Sequence, residues 1–112
     1  MRPVTVFASD RGNAFMTDIA RWIVEAASQS GREASLVQDR LPVADGTINL
    51  LVAPHELFVL ADATDADVAR AAAASVPICT EQPGTPWFNL TAGIVRDAPL
   101  AIDISPHGVA AL

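Results

Sequence analysis

The sequence predicts an α/β domain of three layers, a mostly parallel sheet of about five strands with helices on its faces. Three observations predict it. Short apolar, β-branched runs recur along the chain, segments of helical character lie between them, and each run hands over to polar, turn-forming residues. At 112 residues the chain is long enough for one domain with a real core and too short for two.

The elements follow in order. Residues 4–8 form a β-branched strand, and Ser9-Asp10-Arg11-Gly12-Asn13 is the loop after it. Phe15, Ile19, Trp22, Ile23 and Ala26 fall at helical spacing, with Asn13 as N-cap and Gly31 as the C′ residue. Trp22 lies on that stripe and is expected in the core. Residues 34–37 make a second short strand, closed by Asp39 and Pro42. Asp45-Gly46 marks a turn before a third strand over 48–53. From Pro54 to Thr64 the pattern assigns no element. Thr64-x-x-Asp67 resembles a capping box that opens an alanine-rich helix over 65–75. Residues 76–80 form a fourth strand, in which Pro77 is tolerable only near the beginning or at an edge. A proline-broken loop, a short helix over 87–96 and a fifth strand over 100–104 follow. Ser105-Pro106 is good chemistry for a further helix start, after which the chain runs only to Leu112. That suggests the first half of a larger two-domain protein; a short closing helix is the alternative.

Strands alternating with helices imply βαβ units with right-handed crossovers, a Rossmann-like arrangement. The net charge is −6, and the seven arginines that supply all the positive charge are scattered without a stripe. That excludes the electrostatic footprint of a nucleic-acid binder and argues against an anionic membrane surface. No apolar stretch is long enough for a span, and no secretion signal is visible. The single Cys79 cannot form an internal disulfide, which points to a reducing, cytoplasmic setting, and its mid-strand position makes it a buried apolar residue.

In an open parallel sheet, ligands bind outside the carboxyl ends of the strands, where the strand order reverses. On that side the sequence places Ser9, Asp10 and Arg11 after the first strand and His55 and Glu56 after the third. Thr80, Glu81 and Gln82 follow the fourth, and Asp103, Ser105 and His107 lie around the fifth. His55 suits a general base, since imidazole titrates near neutrality, or it bonds neighbouring backbone; both readings stand. Glu81 and Gln82 suit the hydroxyls of a sugar, or they secure the loop. Trp87 and Phe88 suit stacking on a sugar ring or core filling. The first loop carries one glycine, which fits neither a dinucleotide fingerprint nor a phosphate-binding loop. Two histidines and one cysteine at 55, 107 and 79 lack zinc-ligand spacing, so no metal is expected.

Taken together, Ala8-Ser9-Asp10-Arg11-Gly12-Asn13, Val52-Ala53-Pro54-His55-Glu56 and Thr80-Glu81-Gln82-Pro83-Gly84-Thr85-Pro86-Trp87-Phe88 carry a resemblance. With Ile102-Asp103-Ile104-Ser105 and Gly108-Val109, nearly the whole chain resembles the N-terminal domain of bacterial GT-B glycosyltransferases of the group-1 type. The resemblance implies that this domain faces a sugar or other small-molecule acceptor. The nucleotide-sugar donor would sit in a second domain or partner subunit, so no cofactor is expected in this chain, and alone it would turn over nothing. It makes His55 and Glu56 the candidate catalytic residues, with Asp10, Arg11, Asn13, Glu81 and Gln82 on the substrate. Two other readings compete. One is a non-catalytic, flavodoxin-like binding or assembly module, which predicts a homo-oligomer. The other is a small hydrolase using His55 with an acidic partner, disfavoured because no G-x-S-x-G elbow is present.

Overall fold

The computed structural model describes residues 2–81, 85–96 and 98–103. In chain order the elements are β1 (Val4–Ala8), α1 (Ala14–Gln29), β2 (Ala34–Gln38), β3 (Ile48–Val52), α2 (Pro54–Leu60), α3 (Asp65–Ala73), β4 (Val76–Cys79), α4 (Pro86–Val95) and β5 (Ile102–Asp103). The strands form one sheet in the order β2-β1-β3-β4-β5, parallel throughout. Val6 stands opposite Leu36 on one side and Leu50 on the other, and Val52 opposite Ile78. The domain is thus α/β and Rossmann-like. Gln82, the segment 104–112 with its expected helix start and His107, and the side chains of Trp87 and Phe88 lie outside the described residues.

A parallel sheet must be covered on both faces, and the period-two alternation of its strands supplies two cores. Val4, Val6 and Ala8 of β1 join Val52 and Ile78 on the face covered by α1, with Ala20, Met16, Ile19 and Ile23 packed on them. Phe7 and Leu51 point the other way, into a cluster with Leu57 and Phe58 of α2, Ala71 and Ala72 of α3 and Ile94 of α4.

The inward face of α1 differs from the expected stripe. Ala20 is fully buried, whereas Phe15 and Trp22 are 53% and 57% exposed. Positions 16, 19, 20 and 23 already make a face at helical spacing, and residues 15 and 22 fall on its flank. There the two rings meet edge to face, centroids 6.0 Å apart. The ends of α1 agree with expectation: Asn13 Oδ1 accepts from the Phe15 amide at 2.9 Å, and Gly31 takes the left-handed conformation, φ 86°.

α2 occupies the stretch that the pattern left unassigned. It is only seven residues long, and its N-cap is Ala53, which has no capping side chain. Ala53 adopts a left-handed backbone, φ 50° and ψ 65°, a strained choice for a residue with a Cβ. That kink turns the chain from β3 into Pro54, whose fixed φ suits a first helical position. The Thr64–Asp67 capping box on α3 is complete, each side chain bonding the other's backbone amide. β4 is an interior strand, yet Pro77 is accommodated near its beginning, because among the described residues β5 pairs with β4 from Ile78 onward, beyond the proline. β5 begins at Ile102 rather than at Leu100 as expected, and Leu100 is exposed; residue 104 of the expected strand lies outside the described residues.

Candidate functional site at the switch point

The strand order reverses between β1 and β3, with β2 lying to one side of β1 and β4 to the far side of β3. The loops leaving these two strands therefore part, and a crevice opens between them. Its volume is about 430 Å³, and its walls are Arg11, Gly12, Asn13, His55, Glu56, Val59, Leu60 and Glu81. Five of the seven expected site residues, Arg11, Asn13, His55, Glu56 and Glu81, are thus brought together. Of the other two, Gln82 lies outside the described residues. Asp10 turns away: it is exposed, its amide bonds Asp39 Oδ1 at 3.1 Å, and its carboxylate faces Gln38 at the β2 edge.

His55 is almost wholly buried, its side chain 4% exposed, and it stands between this crevice and a second groove lined by Phe58, Val59, Leu90 and Ile94. Its Nε2 lies 3.1 Å from Glu81 Oε1, and its Nδ1 lies 3.4 Å from the hydroxyl of Thr91 on α4. Glu81, immediately beyond β4, is the more open partner at 24%. The acidic partner of His55 is therefore Glu81 and not its chain neighbour Glu56. Sequence reasoning missed Thr91. The available signal was a hydroxyl set among apolar helix residues, Leu90-Thr91-Ala92-Gly93-Ile94.

Glu56 reaches across the switch point instead. Its Oε2 accepts from the Asn13 amide at 3.0 Å, and the carboxylate lies against the bare Cα of Gly12. A Cβ at position 12 would stand 2.4 Å from Glu56 Oε1, so the lone glycine of the first loop allows this close approach. Arg11 makes the return contact: its Nη2 donates to the Leu60 carbonyl at the carboxyl end of α2. Two crossed latches thus tie the loop after β1 to the helix after β3. The loop itself is organised by Asp39, whose left-handed backbone (φ 59°) aims its carboxylate at the Asp10 amide and the Ser9 hydroxyl.

Two carboxylates and one guanidinium line the crevice, and the guanidinium is engaged on a carbonyl. On that wall Glu56 Oε1 is buried with no hydrogen-bond partner among the described residues. A wall of this kind accepts hydrogen bonds more readily than it donates them, which favours a ligand rich in O–H or N–H groups over an anion. Among the described residues no group of three or more His, Cys, Asp or Glu side chains is placed to hold a metal ion, and no helix is long and apolar enough to cross a membrane.

Fold and crevice together define an open, all-parallel α/β domain with a polar switch-point site. No protein-family model, curated protein or solved structure matches the chain.

Proposed function

We propose that this chain is the acceptor-side domain of a sugar-nucleotide-dependent glycosyltransferase of the GT-B, group-1 type, working in the cytoplasm. The observation that carries the reading is the crevice at the β1/β3 reversal. Its walls come mainly from the three stretches that carry the resemblance, the loop after β1, the first turn of α2 after β3 and the residue after β4, with Val59 and Leu60 of α2 completing them. In this reading the acceptor lies in the crevice with its hydroxyls toward the His55–Glu81 pair, while Arg11, Asn13 and Glu56 form the facing wall. The donor nucleotide belongs to a second domain, because no glycine-rich phosphate cradle follows β1 and the crevice wall is acidic. Calorimetric titration with a panel of methyl glycosides and nucleotide-sugars tests the reading. Glycosides should bind weakly and saturably, and nucleotide-sugars should not bind. Saturable nucleotide-sugar binding to this chain would end the acceptor-side assignment.

Two observations favour a second reading, a non-catalytic flavodoxin-like module. The order β2-β1-β3-β4-β5 is that of flavodoxin-like sheets, and Phe15 and Trp22 form an exposed aromatic pair on α1. Such a module would bind neither ligand class and would self-associate through that face, which sedimentation of the chain and of Trp22→Ala would reveal.

A further inference from the structure

We infer that Glu81 is the group this crevice presents to a ligand hydroxyl, and that His55 and Thr91 are positioning residues that hold it in place. The inference deepens the acceptor reading and rests on it for the ligand class.

Three groups from three parts of the chain stand in line. Thr91 of α4 is fully buried, the His55 side chain of α2 is 4% exposed, and the Glu81 side chain after β4 is 24% exposed. The separations are 3.4 Å from Thr91 Oγ1 to His55 Nδ1 and 3.1 Å from His55 Nε2 to Glu81 Oε1. A carboxylate only accepts hydrogen bonds, so a neutral imidazole facing it carries its hydrogen on Nε2. Nδ1 is then an acceptor, and a threonine hydroxyl can donate to it. The polarity of the chain therefore runs from Thr91 through His55 to Glu81, from the interior outward. This geometry makes His55 the support of the acid rather than the free base, in the way that a buried partner fixes the tautomer and orientation of a histidine. A carboxylate has two oxygens. One of Glu81 is held by His55, and the other accepts from the ligand. Glu56 also has one oxygen held, Oε2 by the Asn13 amide, but its other oxygen, Oε1, is buried against Gly12 rather than open to the crevice, and Arg11 is turned to Leu60. The ligand class is a polyhydroxy compound, since an anion would meet two carboxylates across a crevice of about 430 Å³.

Two measurements on the full chain test this. Ring-nitrogen NMR at about pH 8.5, above the ordinary histidine range, reads the tautomer of His55, assigned by loss of its signals in His55→Gln. The hydrogen should be on Nε2, and Glu81→Gln should weaken that preference. Titration with a methyl glycoside should then show affinity lost by about tenfold in Glu81→Gln and in His55→Leu. His55→Gln, which keeps an N–H donor near the Nε2 position, should recover most of it, and Thr91→Ser should match the parent while Thr91→Val does not. If His55→Leu does not fold, the tautomer and the Glu81 and Thr91 variants still decide. An Nδ1–H tautomer, or undiminished affinity in Glu81→Gln, overturns the inference and leaves the acceptor reading standing. A parent chain that binds no glycoside overturns the acceptor reading and, with it, the role given to Glu81.

Discussion

Gly12→Ala tests whether the two sides of the switch point are locked together. A methyl group at this position would lie 2.4 Å from Glu56 Oε1, 2.7 Å from its Cδ and 3.0 Å from its Oε2. The carboxylate must leave, and it gives up the Asn13 amide at 3.0 Å. A hydrogen bond to a charged acceptor contributes about 1.5–3 kcal/mol. Because the displaced group is the end of a flexible side chain, it swings to water and regains part of that through hydration. Gly12 is not among the glycines of positive φ, so alanine also stiffens the unfolded chain and returns about 0.4–1 kcal/mol. The net expectation is a loss of about 1–2 kcal/mol, or roughly 4–8 °C in Tm for a chain of this size. The assay is thermal and urea unfolding of the parent, Gly12→Ala, Glu56→Ala and the double variant. With Glu56 truncated, the added methyl meets no carboxylate, so Gly12→Ala should there be neutral or slightly stabilising. The coupling should be at least as large as the single-variant loss, about 1–3 kcal/mol. Additive effects, or a Gly12→Ala protein as stable as its parent, would refute the latch.

Three further outcomes are expected. Thr64→Ala removes the capping box of α3 and should cost about 1 kcal/mol in urea unfolding. The Thr64 hydroxyl and then its amide hold the Asp67 carboxyl below its ordinary 3.8, so the contribution of this cap is present above that value and should fade as pH falls below it. Asn49, buried in β3, donates to the Val43 carbonyl at 2.8 Å and the Ala74 carbonyl at 3.0 Å. Asn49→Leu leaves both without their donor and should lower stability by about 2–4 kcal/mol, with Asn49→Asp lower still. Burial, and secondarily the Asp103 charge, push the Cys79 thiol from 9.0 up to about 11. The folded state holds this proton more tightly than the unfolded one, so stability should be level below about pH 9 and fall between about 9 and about 11. Cys79→Ala should flatten that slope, and a thiol reagent at pH 8 should label Cys79 only as fast as the domain opens.

The sheet was legible because strands buried on both faces read as compact apolar runs, and 4–8 and 48–52 are such runs. The helix ends were legible where a side chain makes the cap, as at Asn13 and Thr64. α2 was not, since its cap is an alanine in a left-handed backbone and only tertiary packing of Leu57 and Phe58 selects that turn. The face of α1 was misjudged because two large rings outweighed a small alanine in the pattern, although the close approach of helix to sheet needs the alanine. At the site, chain position was enough to bring together residues from the loops after β1, β3 and β4. Pairings were beyond it: that His55 meets Glu81 and Thr91, and that Glu56 crosses to Asn13, depends on how three helices pack.

The central claim is that ligand enters between β1 and β3. Amide shifts of labelled chain, followed during titration with a methyl glycoside, locate the site directly. The account predicts one saturable curve shared by Arg11, Gly12, Asn13, Glu56 and Glu81, with a separate groove lined by Leu41, Val43, Arg70 and Ala74 unmoved. Saturable shifts gathered in that groove, with the switch-point amides silent, would contradict it.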